Sequence, residues 1–327
     1  MNAVDGEIAA LFEAKNPRGL ARAISRSEEG RGAALMQRFF ERTGHATTIG
    51  ITGPPGVGKS TLCAALVVAA RREGKTAGVI SVDPSSPFSH GAILGDRIRL
   101  AEHFTDPEVF IRSMASHGHL GGLAGATGDA VAFMDAFGKD VIVIETVGVG
   151  QSEIEIAELA DTTVVVLQPG SGDSIQLLKA GILEVADIFV VNKSDHPAAL
   201  QLQREIRSML EMLDLSGWVP ELIATQAREN LGTGELWEAI GRHHAQLQST
   251  GELARKRRRA FVHRVRALVL GALERRVEAQ LGPLLESAAP AQGDPYRAAA
   301  TLLAQIDDER PAGLPAPGEA VHETIVS

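Results

Sequence analysis

Apolar residues follow two alternating patterns along this chain. Between residues 47 and 226, short runs rich in β-branched residues alternate with stretches in which apolar residues recur every three or four positions. The runs are largely apolar throughout, which is typical of parallel strands buried on both faces. They are TTIGIT (47–52), AGVISV (77–82), VIVIE (141–145), TTVVVL (162–167), DIFVVN (187–192) and ELIATQ (221–226).

The stretches between these runs have helical periodicity and are long enough to connect parallel strands by right-handed crossovers. This order predicts an α/β fold with a doubly wound, mainly parallel sheet. Because the strand at 77–82 follows the first strand after a single helix, we expect the two to be parallel and close together. The predicted helices include residues 60–73, 152–160, 174–184 and 197–213.

The pattern changes on both sides of this region. Residues 1–44 predict short helices, residues 45–247 the α/β domain, and residues 248–327 a C-terminal helical region. Within the C-terminal region, the pattern predicts one long amphipathic helix over residues 251–281 and a second helix over residues 293–306. We therefore expect helical extensions before and after the α/β domain.

The amino-acid composition argues against several classes of function. Lys and Arg number 32 against 41 Asp and Glu, a net charge of −9 that repels polyanions, so we expect neither nucleic-acid nor membrane binding. The single cysteine, Cys63, permits no intrachain disulfide and no multi-thiolate metal site. No apolar stretch approaches the ~18 residues of a membrane-spanning helix. These features predict a cytoplasmic protein.

Residues 53–60 satisfy the pattern G-x-x-x-x-G-K-[ST] between a predicted strand and a predicted helix. Its glycines permit backbone angles that point successive N–H groups at phosphate oxygens. Lys59 would supply a charge to the β- and γ-phosphates, and Ser60 a hydroxyl to Mg²⁺. The residues predicted to bind nucleotide phosphates are Gly53, Pro54, Pro55, Gly56, Val57, Gly58, Lys59, Ser60 and Thr61.

The sequence NKSD, residues 192–195, follows the predicted strand at 187–192, at the edge where such sheets bind ligands. Asp195 can accept hydrogen bonds from guanine N1–H and its exocyclic amine together, a donor pair that adenine lacks. Asn192 would brace the loop, and the stem of Lys193 would cover the ring. The pattern predicts a guanine nucleotide, GTP or GDP. Further contacts to the base are predicted from Thr225, Gln226 and Ala227.

Acidic residues follow two more strands. Glu145 ends the strand at 141–145 and could hold Mg²⁺ or its water, while the Gly148 N–H could bind the γ-phosphate. Asp83 ends the strand at 77–82, and Asp96 follows in GDRIRL. Asp83 could instead form a turn before a proline, and Asp96 a surface ion pair. The predicted Mg²⁺ site comprises Ser60, Asp83, Asp96 and Glu145, and the predicted catalytic set Lys59, Glu145, Asp83 and Asp96.

Several separated motifs occur in one order: GPPGVGKST, SVDPSSP with GDRIRL, ETVGVGQSE, and VVLQPGSGDSIQLLKAGILEVADIFVVNKSD before the helical tail. From about residue 15 to beyond 270, the chain resembles the MeaB/ArgK group of P-loop GTPases, which includes the human methylmalonic aciduria type A protein. The resemblance implies nucleotide-site roles for Lys59, Ser60, Asp83, Asp96, Glu145, Asn192 and Asp195.

The same resemblance implies that the protein is a GTP-hydrolysing chaperone of adenosylcobalamin-dependent methylmalonyl-CoA mutase. Such a chaperone gates delivery of the cofactor and protects the mutase from inactivation. It also implies a homodimer held by the C-terminal helices. The motifs match this group over most of the chain, so both the partner and the dimer are expectations for this protein.

The chain differs from Ras-type GTPases at a position that matters for GTP hydrolysis. Ras-type GTPases place a water-orienting Gln directly after D-x-x-G, whereas Val149 and Gly150 precede Gln151 here. This predicts slow intrinsic hydrolysis that a partner accelerates. The segment 168–179, with Asp173 and Lys179, is either a relay of nucleotide state to that partner or a plain strand-to-helix loop.

Two other classes of protein share the phosphate loop. A metallochaperone GTPase needs a Cys/His cluster that holds the metal. The chain has a single cysteine, which argues against this class. A P-loop kinase needs an acceptor pocket rather than the NKSD and Glu145–Gly148 elements. The Gly-rich segment 115–127, with two histidines, is interpreted as a mobile loop near the nucleotide or partner.

Overall fold

The computed structural model describes residues 2–84, 105–116, 122–146, 152–171, 182–212, 217–288 and residue 296. These residues contain a sheet of seven parallel strands in the order β3-β2-β4-β1-β5-β6-β7. The strands are β1 Thr47–Thr52, β2 Ala77–Pro84, β3 Val109–Ser116, β4 Val141–Thr146, β5 Thr162–Leu167, β6 Ile188–Val191 and β7 Glu221–Ala224.

Helices cover both faces of the sheet, which confirms the predicted doubly wound α/β fold. They are α1 Ala3–Glu13, α2 Pro17–Glu28, α3 Ala33–Phe39, α4 Lys59–Arg72, α5 Gly122–Phe137, α6 Ser152–Leu159, α7 Ala199–Glu211, α8 Thr233–Ser249 and α9 Glu252–Ala288. Of the helix predicted at 174–184, the described part, Ile182–Glu184, is a 3-10 turn. The helix predicted at 293–306 lies outside the described residues except for Tyr296.

Alternate residues of each strand contribute to opposite faces of the sheet. Ile49 and Ile51 of β1 pack in one cluster with α4 and α8. Ile142 and Ile144 of β4 pack in another cluster with α1, α2, α3 and α5. The sheet is therefore buried on both faces, which explains why its strands are apolar throughout.

The N-terminal helices complete the core on the second face. The Phe12 ring stacks on Phe39 with centroids 4.2 Å apart, and Phe137 of α5 meets Phe12 edge-on at 5.1 Å. All three helices belong to a compact unit formed by residues 1–267. Residues 268–327 form a second unit.

Two local expectations need correction. Strand β2 is parallel to β1 as predicted, but β4 lies between them. The segment 115–127 is not one loop, because its first two residues end β3 and residues 122–127 begin α5, while residues 117–121 lie outside the described chain. Residues 122–127 begin a helix although the segment is rich in glycine, and Thr127 is buried.

The long predicted C-terminal helix is present as α9, and its first turns are anchored to the sheet. The Arg257 guanidinium donates to both carboxylate oxygens of Asp161, at 3.0 and 2.8 Å, and to the Ala46 carbonyl at 2.8 Å. Asp161 is buried and directly precedes β5, so this contact lies at the edge of the sheet opposite the phosphate loop. Among the described helices, none is long and apolar enough to cross a membrane.

Candidate functional site

The phosphate loop joins β1, the central strand, to α4. Gly53 and Gly58 have φ angles of 139° and 99°, which residues with a side chain rarely adopt. A Cβ at Gly53 would lie 2.1 Å from the Val166 carbonyl oxygen, and one at Gly58 would lie 2.4 Å from the Asn192 amide nitrogen. Glycine is therefore required at both positions, by backbone conformation and by the closeness of Val166 in β5 and of the Asn192 side chain after β6.

The Lys59 side chain is buried inside this loop. Its ammonium donates hydrogen bonds to the carbonyl oxygens of Gly53, at 2.7 Å, and of Pro54, at 2.8 Å. These contacts offset the cost of burying a charge and hold it across the loop. A positive charge is thus positioned among the main-chain groups predicted to bind phosphate.

Ser60 and Glu145 meet beside the start of α4. The Ser60 hydroxyl donates to Glu145 Oε1 at 2.6 Å, and both side chains are buried. The pair forms because β4 lies next to β1, with Glu145 in register with Ile51. A hydroxyl and a carboxylate oxygen are the donor types that Mg²⁺ prefers, so this pair fits the predicted metal site.

Cys63 lies one turn further along α4 and is fully buried. Burial raises the pKa of its thiol well above the usual value, and the negative charge of Glu145 raises it further. The thiol therefore stays protonated at neutral pH, as expected for a cysteine that serves as a small core residue rather than a reactive group.

The remaining predicted metal and phosphate residues are described only in part. Ser81 of β2 is in register with Glu145, so the backbone of Asp83 lies at the same edge of the sheet. The Asp83 side chain lies outside the described structure, as do Asp96, Gly148, Gln151, Asp173 and Lys179. The described geometry therefore brings together Lys59, Ser60 and Glu145.

The Asn192 side chain forms hydrogen bonds that link the NKSD loop to the phosphate loop and to the loop after β7. Its amide nitrogen donates to the Val57 carbonyl in the phosphate loop at 2.7 Å. Its amide oxygen accepts from the Thr225 hydroxyl and from the Ala227 N–H, each at 3.0 Å. Asn192 is 3% exposed, so all three bonds are shielded from water. The phosphate loop, the NKSD loop and the loop after β7 are thereby fixed relative to one another.

The NKSD loop borders a cavity of about 720 Å³, within the usual range for small-ligand sites. Gly56, Gly58 and Thr61 line one part of it. The other part is lined by Asn192, Lys193, Asp195, His196, Pro197, Gln226, Ala227, Arg228 and Glu229. Asp195 is exposed in this cavity. Part of the predicted phosphate site and most of the predicted base site therefore share one cavity, whereas Thr225 is fully buried and does not line it.

Sequence reasoning missed one contact at this site. The Lys193 ammonium donates to the Gly56 carbonyl at 3.0 Å and to Gln168 Oε1 at 2.5 Å. Gln168 follows β5 and had no individual role in the sequence interpretation. No spacing rule links residues 168 and 193, because their contact depends on β5 and β6 being neighbours.

We expect Asn192→Ala to lower the free energy of unfolding by about 2–4 kcal/mol, because it leaves three buried polar groups without their partner. Urea denaturation of the nucleotide-free protein measures this change. Thr225→Val removes only one of the three hydrogen bonds, so it should lower the free energy of unfolding by a smaller amount. An Asn192→Ala protein as stable as the wild type would contradict the bracing role.

The sequence model of the family described as methylmalonyl Co-A mutase-associated GTPase MeaB matches residues 20–281. The chain belongs to the MeaB family. The resemblance inferred from the motifs is therefore confirmed.

Relatives of this MeaB-family chain include a candidate GTPase of Pyrococcus horikoshii, 46% identical over 287 residues that cover 86% of this chain and 90% of the relative. The GTPase ArgK of Escherichia coli is 35% identical over 261 residues, covering 78% and 76% of the two chains. The mitochondrial methylmalonic aciduria type A homologue of Mus musculus is 39% identical over 214 residues, covering 64% of this chain and 52% of the mouse protein.

Among solved structures, the MeaB-family chain is similar to that of an LAO/AO transport system kinase. The TM-score is 0.68 at 25% sequence identity, and the alignment covers 94% of this chain and 99% of the other. The fold is thus that of a P-loop GTPase, and the chain is a MeaB-family GTPase related to the methylmalonic aciduria type A protein.

Proposed function

We propose that this protein binds GTP and GDP with Mg²⁺, hydrolyses GTP to GDP and phosphate, and acts as a chaperone of methylmalonyl-CoA mutase or a related adenosylcobalamin-dependent mutase. The observation that carries the nucleotide part is the Asn192 network, which joins a complete phosphate loop to an NKSD loop in one cavity. The family description and the mouse relative's name support the choice of mutase.

In this proposal the main-chain N–H groups of the phosphate loop and the Lys59 ammonium hold the phosphate oxygens. Ser60 and Glu145, with Asp83 and Asp96, would hold Mg²⁺, which neutralises charge on the β- and γ-phosphates when bound. Asp195 reads the guanine edge, Lys193 covers the ring, and Gln226 and Ala227, which line the cavity, contact the base. Thr225 is fully buried and bonds to Asn192, so its part is to hold the loop rather than to touch the base. The Gly148 N–H senses the γ-phosphate.

The chaperone part of the proposal requires that nucleotide state reach the mutase. We assign this role to Gln151, Asp173 and Lys179, in the segments that follow β4 and β5 in the sequence. Loss of the γ-phosphate would release contacts at these segments and change the surface that the mutase meets. Gated delivery of adenosylcobalamin and protection of the mutase would follow from this change.

We expect hydrolysis of GTP in a single turnover to be faster with methylmalonyl-CoA mutase than without it, because Gln151 is two residues later than the water-orienting Gln of Ras-type proteins. Groups supplied by a partner accelerate such reactions by about 10³-fold or more. The measurement is rapid-quench detection of labelled GDP at excess protein. Equal rates would contradict partner stimulation. Co-purification with the mutase in GDP and in a non-hydrolysable GTP analogue tests the association separately.

We further propose that the protein is a homodimer held by α9. In the unit formed by residues 268–327, Leu268, Val269, Leu270 and Leu273 are each more than half exposed, at 51–55%. Val269 and Leu273 are four residues apart and so share one face of the helix. Sedimentation should show a dimer for the wild type and for the control Glu278→Lys, whose exposed side chain lies on the opposite face of the helix from Val269. It should show a monomer for Val269→Glu/Leu273→Glu, and a wild-type monomer would contradict the proposal.

A phosphotransferase is the second candidate function, because a solved structure that aligns with 94% of this chain is that of a protein named a transport system kinase. The two candidates differ in the fate of the γ-phosphate. With γ-labelled GTP, the GTPase releases free phosphate, whereas a kinase transfers the label to a protein or metabolite.

A further inference from the structure

Gln168 is the residue that directly follows β5, and it lies beside the loop predicted to bind the base. Its side-chain oxygen accepts a hydrogen bond from the Lys193 ammonium at 2.5 Å. The same ammonium donates to the Gly56 carbonyl of the phosphate loop at 3.0 Å. Lys193 is therefore held at its tip by two groups from two different segments.

The backbone that carries Gln168 is itself closely confined. The Asn192 N–H donates to the Leu167 carbonyl at 2.9 Å. On the other side, the Val166 carbonyl lies so close to the phosphate loop that a Cβ on Gly53 would approach it to 2.1 Å. The end of β5 is thus fixed between the phosphate loop and the NKSD loop, so Gln168 presents its acceptor from a fixed position.

Lys193 needs such a restraint more than its neighbour Asn192 does. Its side chain is exposed and has four rotatable bonds, so ordering it costs free energy. Its backbone adopts φ 56°, which directs the chain around the NKSD turn but does not fix the side chain. An acceptor that orders this side chain before the ligand arrives lowers the cost of binding.

We propose that Gln168 is a positioning residue for guanine-nucleotide binding: it holds the Lys193 ammonium so that the aliphatic stem lies ready to cover the base. This inference rests on the proposed function, because it assigns a purpose to Lys193 in that same site. Gln168 acts through Lys193 and needs no contact with the nucleotide.

The test is the rate of GDP release, followed with a fluorescent GDP analogue and an excess of unlabelled GDP. Gln168→Met keeps the length of the side chain but removes the acceptor, and should accelerate release about 5- to 10-fold, as for loss of one solvent-exposed hydrogen bond of ordinary strength. Gln168→Glu keeps an acceptor and should release GDP within about twofold of the wild-type rate. Gln248→Met, on the exposed face of α8, is the matched control and should match the wild type.

A double-mutant cycle separates positioning from a general structural role. In a Lys193→Met background, Gln168→Met should have no further effect on release. Equal acceleration in both backgrounds, or a Gln168→Met protein that releases GDP at the wild-type rate, would overturn the inference. A wild-type protein that fails to bind GDP would instead overturn the proposed function, so the two failures are distinguishable.

Discussion

Lys59→Met should reduce the rate of GTP hydrolysis by about 10²–10³-fold, as does the loss of one preorganised charged donor in other enzymes. The wild-type ammonium is buried and already held by two carbonyl oxygens of its own loop, at 2.7 and 2.8 Å. The charge is thus in place before the phosphate arrives, and little reorganisation is needed during the reaction. Methionine keeps most of the aliphatic stem but carries no charge.

The measurement is steady-state release of phosphate, with circular dichroism to check that the variant is folded. Lys75→Ala is the matched control: this lysine lies beyond the other end of α4, is exposed, and pairs with Glu73 at 2.7 Å. It should hydrolyse GTP at the wild-type rate. If Lys59→Met retained more than about a third of wild-type activity, the phosphate loop would not have the role proposed for it.

The phosphate loop and the NKSD loop could be predicted from sequence because each is a local motif. Spacing alone places Lys59 at the start of a helix and Asn192 at the end of a strand. Their mutual contacts could not be predicted in the same way. The Asn192 amide meets the Val57 carbonyl across 135 positions of sequence, and that meeting depends on which strands are neighbours.

The parts of the fold that sequence reasoning missed have physical explanations. Within the described sheet, strand β3 lies at the edge and pairs with β2, so it can carry Arg112 and Ser113 where the central strands are mostly apolar. Helix α5 begins in a glycine-rich segment, which local propensity assigns to a loop. Close packing outweighs propensity there, because Ala130 and Phe133 of the same helix are fully buried.

Asp195→Asn should weaken GDP binding by about 10²–10⁴-fold, because it removes the charged acceptor of two hydrogen bonds from the guanine edge, each worth about 1.5–3 kcal/mol. The asparagine amide would also present N–H groups to the guanine amine. Xanthine has a carbonyl oxygen in place of that amine, so the variant should gain affinity for XDP as it loses affinity for GDP. Calorimetric titration with GDP, XDP and ADP measures all three.

The contrast between Asp195 and Asn192, three residues apart, decides whether the NKSD loop reads the base or merely shapes the site. Asn192 is buried with three protein partners, so its loss should appear as lower stability without any ligand. Asp195 is exposed in the cavity, so Asp195→Asn should unfold at the wild-type denaturant concentration and differ only when nucleotide is added. A variant with unchanged stability and unchanged GDP affinity would show that Asp195 does not recognise guanine, and the choice of GTP over ATP would need another explanation.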